Sequence, residues 1–207
     1  MEQQVAFLRR WAREQGILVE AALFEPRIKG GREHYLVKTP EFLQRLIKVT
    51  IGPEFGYYPC CFPRQQFRDV CNWFSTRTAT PLEYCERLLL LNELFPRCET
   101  QLIGLVDRGD SLHAVTAQLI ARGHPAAHHR MIAWLNASGF VMIAAWTWFR
   151  PADGVALFDV MAKNVMHCDD GEMVPFDVIP LRCEGVFLEM MHAAEARLSS
   201  HGQGARY

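Results

Sequence analysis

The segment from Val155 to Ile179 constrains this chain most. It reads Val-Ala-Leu-Phe-Asp159-Val-Met-Ala-Lys-Asn164-Val-Met-His-Cys-Asp-Asp-Gly-Glu-Met-Val-Pro-Phe-Asp177-Val-Ile. Residues 164–168 and 172–176 have the composition of two short strands, and Asp169-Asp170-Gly171 is a hairpin turn signal. A hairpin returns the chain to the end it left, so Asn164 and Asp177 are expected together, facing one cavity. An Asp and an Asn at this spacing form a weak signal alone, and Asp-Asp-Gly hairpins are common on surfaces. Specificity comes from the order: loop, strand, turn, strand, carboxylate, in one continuous piece.

The rest of the chain bounds what that piece can serve. With 207 residues, half of them hydrophobic, the chain can bury one sizeable core or two small lobes. A formal net charge of −1 argues against a strongly electrostatic nucleic-acid binder. The longest greasy run, residues 140–148, is too short to span a bilayer. The opening Met1–Val5 lacks the basic-then-apolar order of a secretory signal, so a cytoplasmic location is expected. Cysteines at 60, 61, 71, 85, 98, 168 and 183 are odd in number with no Cys-x-x-Cys pair, which favours reduced, mostly buried thiols over disulfides or a zinc site. His124, His128 and His129 could lie together on a helix, but no Cys or carboxylate spacing makes them a metal site.

Along the chain, residues 3–15 are amphipathic and helical, ending at Gly16. Residues 17–24, 34–38 and 45–51 read as strands, with Gly30-Gly31 in a turn between the first two. Residues 52–79 are rich in Gly, Pro and aromatics and read as a long ordered loop, with one helical turn near 65–73. Thr80-Pro81-Leu-Glu83 is a capping-box start for a strong helix that Pro96 stops. Residues 101–106 and 111–116 form a hairpin around Asp107–Asp110. The pattern then turns helical after Gln118, with a helix over 125–135. Residues 140–148 read as a strand in preference to a buried helix, and 181–198 as a last helix with Gly185 as a weak point.

Several pieces resemble the kinase-like domain found in polyvalent proteins of phages and plasmids. They are Glu33-His34 after the glycines, Arg-Leu-Ile-Lys48-Val, Thr80-Pro-Leu-Glu-Tyr-Cys-Glu-Arg-Leu-Leu-Leu-Leu-Asn-Glu-Leu-Phe95 and Gly139-Phe140. The series continues with Asp153-Gly-Val-Ala-Leu-Phe-Asp159, Asn164 and Val174-Pro-Phe-Asp177-Val-Ile-Pro180. The resemblance spans about residues 15–180. It implies a compact, two-lobed α+β protein-kinase-like fold with a reduced C-terminal lobe. Residues 1–118 would be a mainly β, nucleotide-binding lobe, and 119–207 a small lobe carrying the catalytic loop and metal site.

The same resemblance implies an ATP- and magnesium-dependent phosphotransferase acting on a hydroxyl of a protein or small molecule. Such chemistry asks the protein to orient the acceptor, hold the phosphates and neutralise developing charge. Asp159 would orient the hydroxyl, and Asn164 with Asp177 would supply hard oxygen ligands to magnesium. Lys48 would hold the phosphates in preference to Lys38, which falls beside the glycine turn. Glu86, rather than Glu83 or Glu93, would hold Lys48. Gly30 and Gly31 would lie over the phosphates, and Gln118 would stand by the adenine.

Departures accompany the match. Leu157-Phe158 stands where protein kinases carry His-Arg, Met161 where a lysine is usual, and Val178-Ile179 where Phe-Gly follows the metal Asp. Thirty residues follow Asp177, too few for the usual helical substrate platform. These changes bring the site closer to small-molecule kinases of the same fold, such as aminoglycoside phosphotransferases. Two other readings stay open: a nucleotide-binding pseudokinase serving as an interaction module, and a binding protein without nucleotide.

Overall fold

A computed structural model describes residues 1–20, 27–30, 33–37, 44–51, 55–62 and 73–200. In chain order the elements are helix α1 (Glu2–Glu14) and strands β1 (Leu18–Val19), β2 (Arg27–Gly30), β3 (His34–Val37), β4 (Arg45–Thr50), β5 (Tyr57–Cys61) and β6 (Phe74–Thr78). Helix α2 (Pro81–Leu94), strands β7 (Thr100–Asp107), β8 (Leu112–Leu119) and β9 (Gly123–Pro125), and helix α3 (His128–Ala137) follow. The chain closes with β10 (Val141–Ala144), β11 (Thr147–Arg150), β12 (Val155–Phe158), β13 (Val165–Cys168), β14 (Met173–Pro175), β15 (Ile179–Arg182) and helix α4 (Gly185–Ser200). Two compact units result: Met1–Tyr58 with Arg77–Ile120, and Pro59–Thr76 with Ala121–Tyr207.

The first unit is built on a six-stranded sheet ordered β1-β7-β8-β4-β3-β2. Its pairs are antiparallel except β1 with β7. The central strands β4 and β8 are buried along almost their whole length, so alternation sorts their side chains between two covered faces. One face packs Tyr35, Val37, Ile47, Val49, Val106, Val115 and Ala117 together. The other packs Leu105, Leu112 and Ala114 with Ala12 of α1 and Tyr84 and Leu88 of α2. Helix α2 starts where its capping box sets it. Thr80 Oγ1 accepts from the Glu83 amide at 3.3 Å and Glu83 Oε2 from the Thr80 amide at 2.9 Å, with Pro81 in the first turn.

The second unit holds a four-stranded sheet, β10-β11-β12-β15, and a three-stranded one, β14-β13-β9. Strand β12 is buried at every residue, as a strand covered on both faces must be. Helix α4 buries Met190, Met191 and Ala194.

Several sequence expectations are corrected. The loop expected over 52–79 contains the paired strands β5 and β6; their Pro, Cys and Thr residues hid a two-stranded ribbon, and the helical turn expected near 65–73 falls almost wholly outside the described residues. The chain after Gln118 does not turn helical at once: β8 runs to Leu119 and β9 pairs with β13 before α3 begins at His128. His124 therefore lies on a strand and does not share a helix with His128 and His129. Residues 140–148 are two strands joined at Ala145-Trp146, not one. Of the strand expected over 17–24, Leu18–Val19 pairs with β7, and 21–26 lie outside the described residues. Gly185 opens α4 at φ 51°, a left-handed start that glycine accepts at little cost.

Candidate active site

In the second unit, strand register carries two carboxylates to one end of a sheet. Strands β12 and β15 pair antiparallel with Leu157 opposite Pro180 and Phe158 opposite Ile179. Asp159 follows directly on Phe158, and Asp177 lies two residues before Ile179, so both leave the ladder at the same end. The Phe158 ring anchors that end, lying 6.3 Å from the Phe74 centroid and 6.1 Å from Phe187. An aromatic anchor thus stands beside Asp159.

Beyond Phe158 the backbone turns sharply. Asp159 has φ 57°, and Trp146, the residue whose carbonyl accepts from the Val160 amide at 3.0 Å, has φ 59°. Left-handed backbone costs any side chain energy, less for Asp than for a bulky residue such as Trp, and such strain gathers at functional sites. The Asp159 carbonyl accepts from the Met161 amide at 2.9 Å, and a single 3₁₀ turn, Ala162–Asn164, completes the bend.

Asn164 is 5 % exposed. Its Nδ2 donates to the Asp159 carbonyl at 2.8 Å and to Asp159 Oδ2 at 3.1 Å. The β13–β14 hairpin pairs Val165 with Pro175, and the Phe176 amide donates to the Asn164 carbonyl at 3.0 Å. Asp177, exposed, is the next residue. Asp159, Asn164 and Asp177 are thus brought to one end of the second unit, each fixed through backbone hydrogen bonds or strand register.

With its amide nitrogen committed to Asp159, Asn164 has Oδ1 to offer a cation, and Asp177 has a carboxylate. Among the described residues no group of three or more His, Cys, Asp and Glu could hold a metal alone. One amide and one carboxylate oxygen fit magnesium, which keeps waters and takes phosphate oxygens beside one or two protein ligands.

In the first unit, Lys48 sits on β4 between Leu36 and Thr116 and is 7 % exposed. Its face of the sheet carries His34, Thr50, Thr116 and Gln118 at neighbouring register positions on β3, β4 and β8, alongside Leu36 and Leu46. Burial, and then the charges of Lys48 and Arg87, hold the His34 pKa well below its ordinary 6.5. Gln118 is buried and donates to the Cys98 carbonyl at 3.4 Å. Burial also pushes the Cys98 thiol up to about 12, leaving it protonated and inert. Gly30 ends β2 opposite Tyr35; Gly31 and Lys38 lie outside the described residues.

Glu86 is not brought to Lys48. It is exposed, and among the described residues no ion pair joins the two. The polar residue that α2 buries is its neighbour Arg87, which pairs with Glu33. Sequence reasoning gave Arg87 no role and named Glu33 only within a matching piece. A signal was present: Tyr84, Arg87, Leu88 and Leu91 fall at the i, i+3, i+4, i+7 spacing of one buried helix face, and Glu86 does not.

No curated protein matches the sequence. A family model described as a serine/threonine/tyrosine kinase found in polyvalent proteins matches residues 74–179, just over half of the chain. That span begins in β6, takes in α2 and Asp159, Asn164 and Asp177, and ends at the first residue of β15; Lys48 lies before it. The matched span and the site inside it put the general chemistry in the phosphotransferase class: the chain belongs to the serine/threonine/tyrosine kinase family of polyvalent proteins.

Proposed function

We propose that the protein is an ATP- and magnesium-dependent phosphotransferase that delivers a γ-phosphate to a hydroxyl on a protein or small molecule. The observation that carries this reading is the Asn164 amide donating to Asp159, supported by the β12–β15 register that has the chain at Asp159 and Asp177 leave one sheet at the same end. Asp159 accepts and orients the acceptor's hydroxyl proton. Asn164 Oδ1 and the Asp177 carboxylate are the groups that would hold magnesium, which supplies charge neutralisation to the phosphates when bound. Lys48 is the phosphate-holding cation, and the backbone after Gly30 and Gly31 covers the phosphates. The end of β8 at Gln118 serves the adenine. Glu86 keeps its proposed part only in an arrangement that turns it toward Lys48.

Chain order supports a kinase-like, two-lobed fold; the expected division of 1–118 from 119–207 holds near Gln118, while residues 59–76 group with the second unit rather than the first. Strands β2, β3 and β4 precede the long helix α2, and the hairpin β7–β8 follows it; β5 and β6 are inserted between. The departures around Asp159, which resemble small-molecule kinases of the same fold, favour a small-molecule acceptor.

Asp159→Ala tests the reading. Phosphate transfer from ATP should fall by a factor of about 10² or more, the scale on which a positioned acid–base group acts. Affinity for Mg-ATP should stay within about twofold. A wild-type protein that binds ATP and never transfers or hydrolyses it would instead be a nucleotide-binding interaction module.

A further inference from the structure

Glu33 and Arg87 form a pair for which the phosphotransferase reading so far has no use. Arg87 is 7 % exposed in the middle of α2. Its Nη1 donates to the Tyr57 carbonyl at 2.9 Å, and its Nη2 donates to Glu33 Oε1. The guanidinium carbon stands 5.0 Å from the centroid of the Tyr84 ring. Tyr84, 1 % exposed one turn earlier, places its hydroxyl 3.3 Å from His34 Nε2, and Glu33 Oε1 lies 3.8 Å from that nitrogen. Two residues of α2 therefore grip His34, the first residue of β3, and Glu33 just before it. The backbone makes room for the grip: Gly56 has φ 73°, and a Cβ there would collide with the Glu33 carboxylate. A buried guanidinium with its carboxylate is costly to leave half-made, so the contact fixes the rotation of α2 about its axis.

That rotation bears on Lys48. His34 faces the same side of the sheet as Thr50, its register partner, and Lys48 follows two positions along β4 on that side. Successive helix residues are about 100° apart, so an inward Arg87 leaves Glu86 in solvent.

We infer that Glu33 and Arg87 are positioning residues of the phosphate-holding side: their pair, in place of a helix glutamate bonded to Lys48, seats α2 on the sheet face that carries Lys48. The inference rests on the phosphotransferase reading and deepens it. Glu33, expected from sequence only as part of a family match, gains a physical role, and Arg87 gains one that its place beside Glu86 concealed.

Calorimetric titration with magnesium and a non-hydrolysable ATP analogue tests it, at a temperature where circular dichroism shows each variant folded. Arg87→Lys keeps the charge and loses the planar fork; it should weaken the analogue about tenfold, as should Glu33→Gln. The reversed pair, Glu33→Arg with Arg87→Glu, should bind better than either of its single changes. Glu93→Gln, an exposed control, should match the wild type. If Arg87→Lys and Glu33→Gln bind the analogue as the wild type does, or if Glu86→Gln loses affinity while they do not, the inference is overturned and the phosphotransferase reading stands. If the wild type itself fails to bind the analogue, both fall together. Should Glu33→Gln not fold, Arg87→Lys and the reversed pair decide the matter.

Discussion

Asn164 has one side-chain amide, and this structure spends its nitrogen on Asp159, which leaves its oxygen as the atom for a cation. Asn164→Ala should remove a metal oxygen and the clamp on Asp159 in one step. The expected result is a higher magnesium requirement and a turnover lowered by at least about tenfold, with the melting temperature shifted by only a few degrees; a magnesium titration of initial rates checks it. At His34 the prediction concerns pH. Its folded pKa is depressed below 6.5, so the unfolded imidazole takes up a proton at a pH where the folded one does not. Stability is therefore unaffected well above that value and falls as pH drops through it, by up to about 1.4 kcal/mol per unit. Urea unfolding at two pH values on either side of 6.5, wild type against His34→Gln, should show a smaller loss in the variant. An equal loss in both would show that His34 titrates freely in the fold.

Elements with strong local chemistry were legible in the sequence. The Thr80–Glu83 capping box names its own partners, and it forms as written. The hairpin after Asn164 followed from two short apolar runs around Asp-Asp-Gly, and its register brings Phe176 onto Asn164. What stayed hidden depends on partners distant in sequence. Nothing local says that β12 pairs with β15, which brings Asp159 beside the end where Asp177 leaves. Nothing local says that Arg87 meets Glu33, 54 positions away. The ribbon of β5 and β6 was concealed because proline, cysteine and threonine between aromatics read as irregular chain. Thr80→Ala should cost about 1 kcal/mol, the usual worth of an N-cap. Glu83→Gln should cost less at neutral pH, and its effect should fade in acid. Burial raises the Glu83 pKa, but the Arg77 and Thr80 hydrogen bonds outweigh it and hold it low, so the carboxylate's contribution is present above the unfolded pKa and lost as pH falls through the folded one. Thermal melts of both variants at neutral and acid pH would contradict this if the Glu83→Gln difference grew in acid.

At the scale of the whole molecule, a family match that begins at residue 74 covers the Asp159–Asn164–Asp177 group and leaves the Lys48 strand to rest on its own physical argument. No helix among the described residues is long and apolar enough to cross a membrane. Nucleotide that binds the folded state and not the unfolded chain should raise stability by mass action. At a hundred times its dissociation constant, Mg-ATP should add about 2.7 kcal/mol, visible as a rise in melting temperature that EDTA removes. The most direct measurement compares the dissociation constant for ATP, with and without magnesium, in the wild type and in Asp177→Ala. The expected result is binding that requires magnesium in the wild type and weakens at least about tenfold in the variant; equal affinity in both proteins, whether or not magnesium is present, would contradict a metal–triphosphate site at Asp159, Asn164 and Asp177.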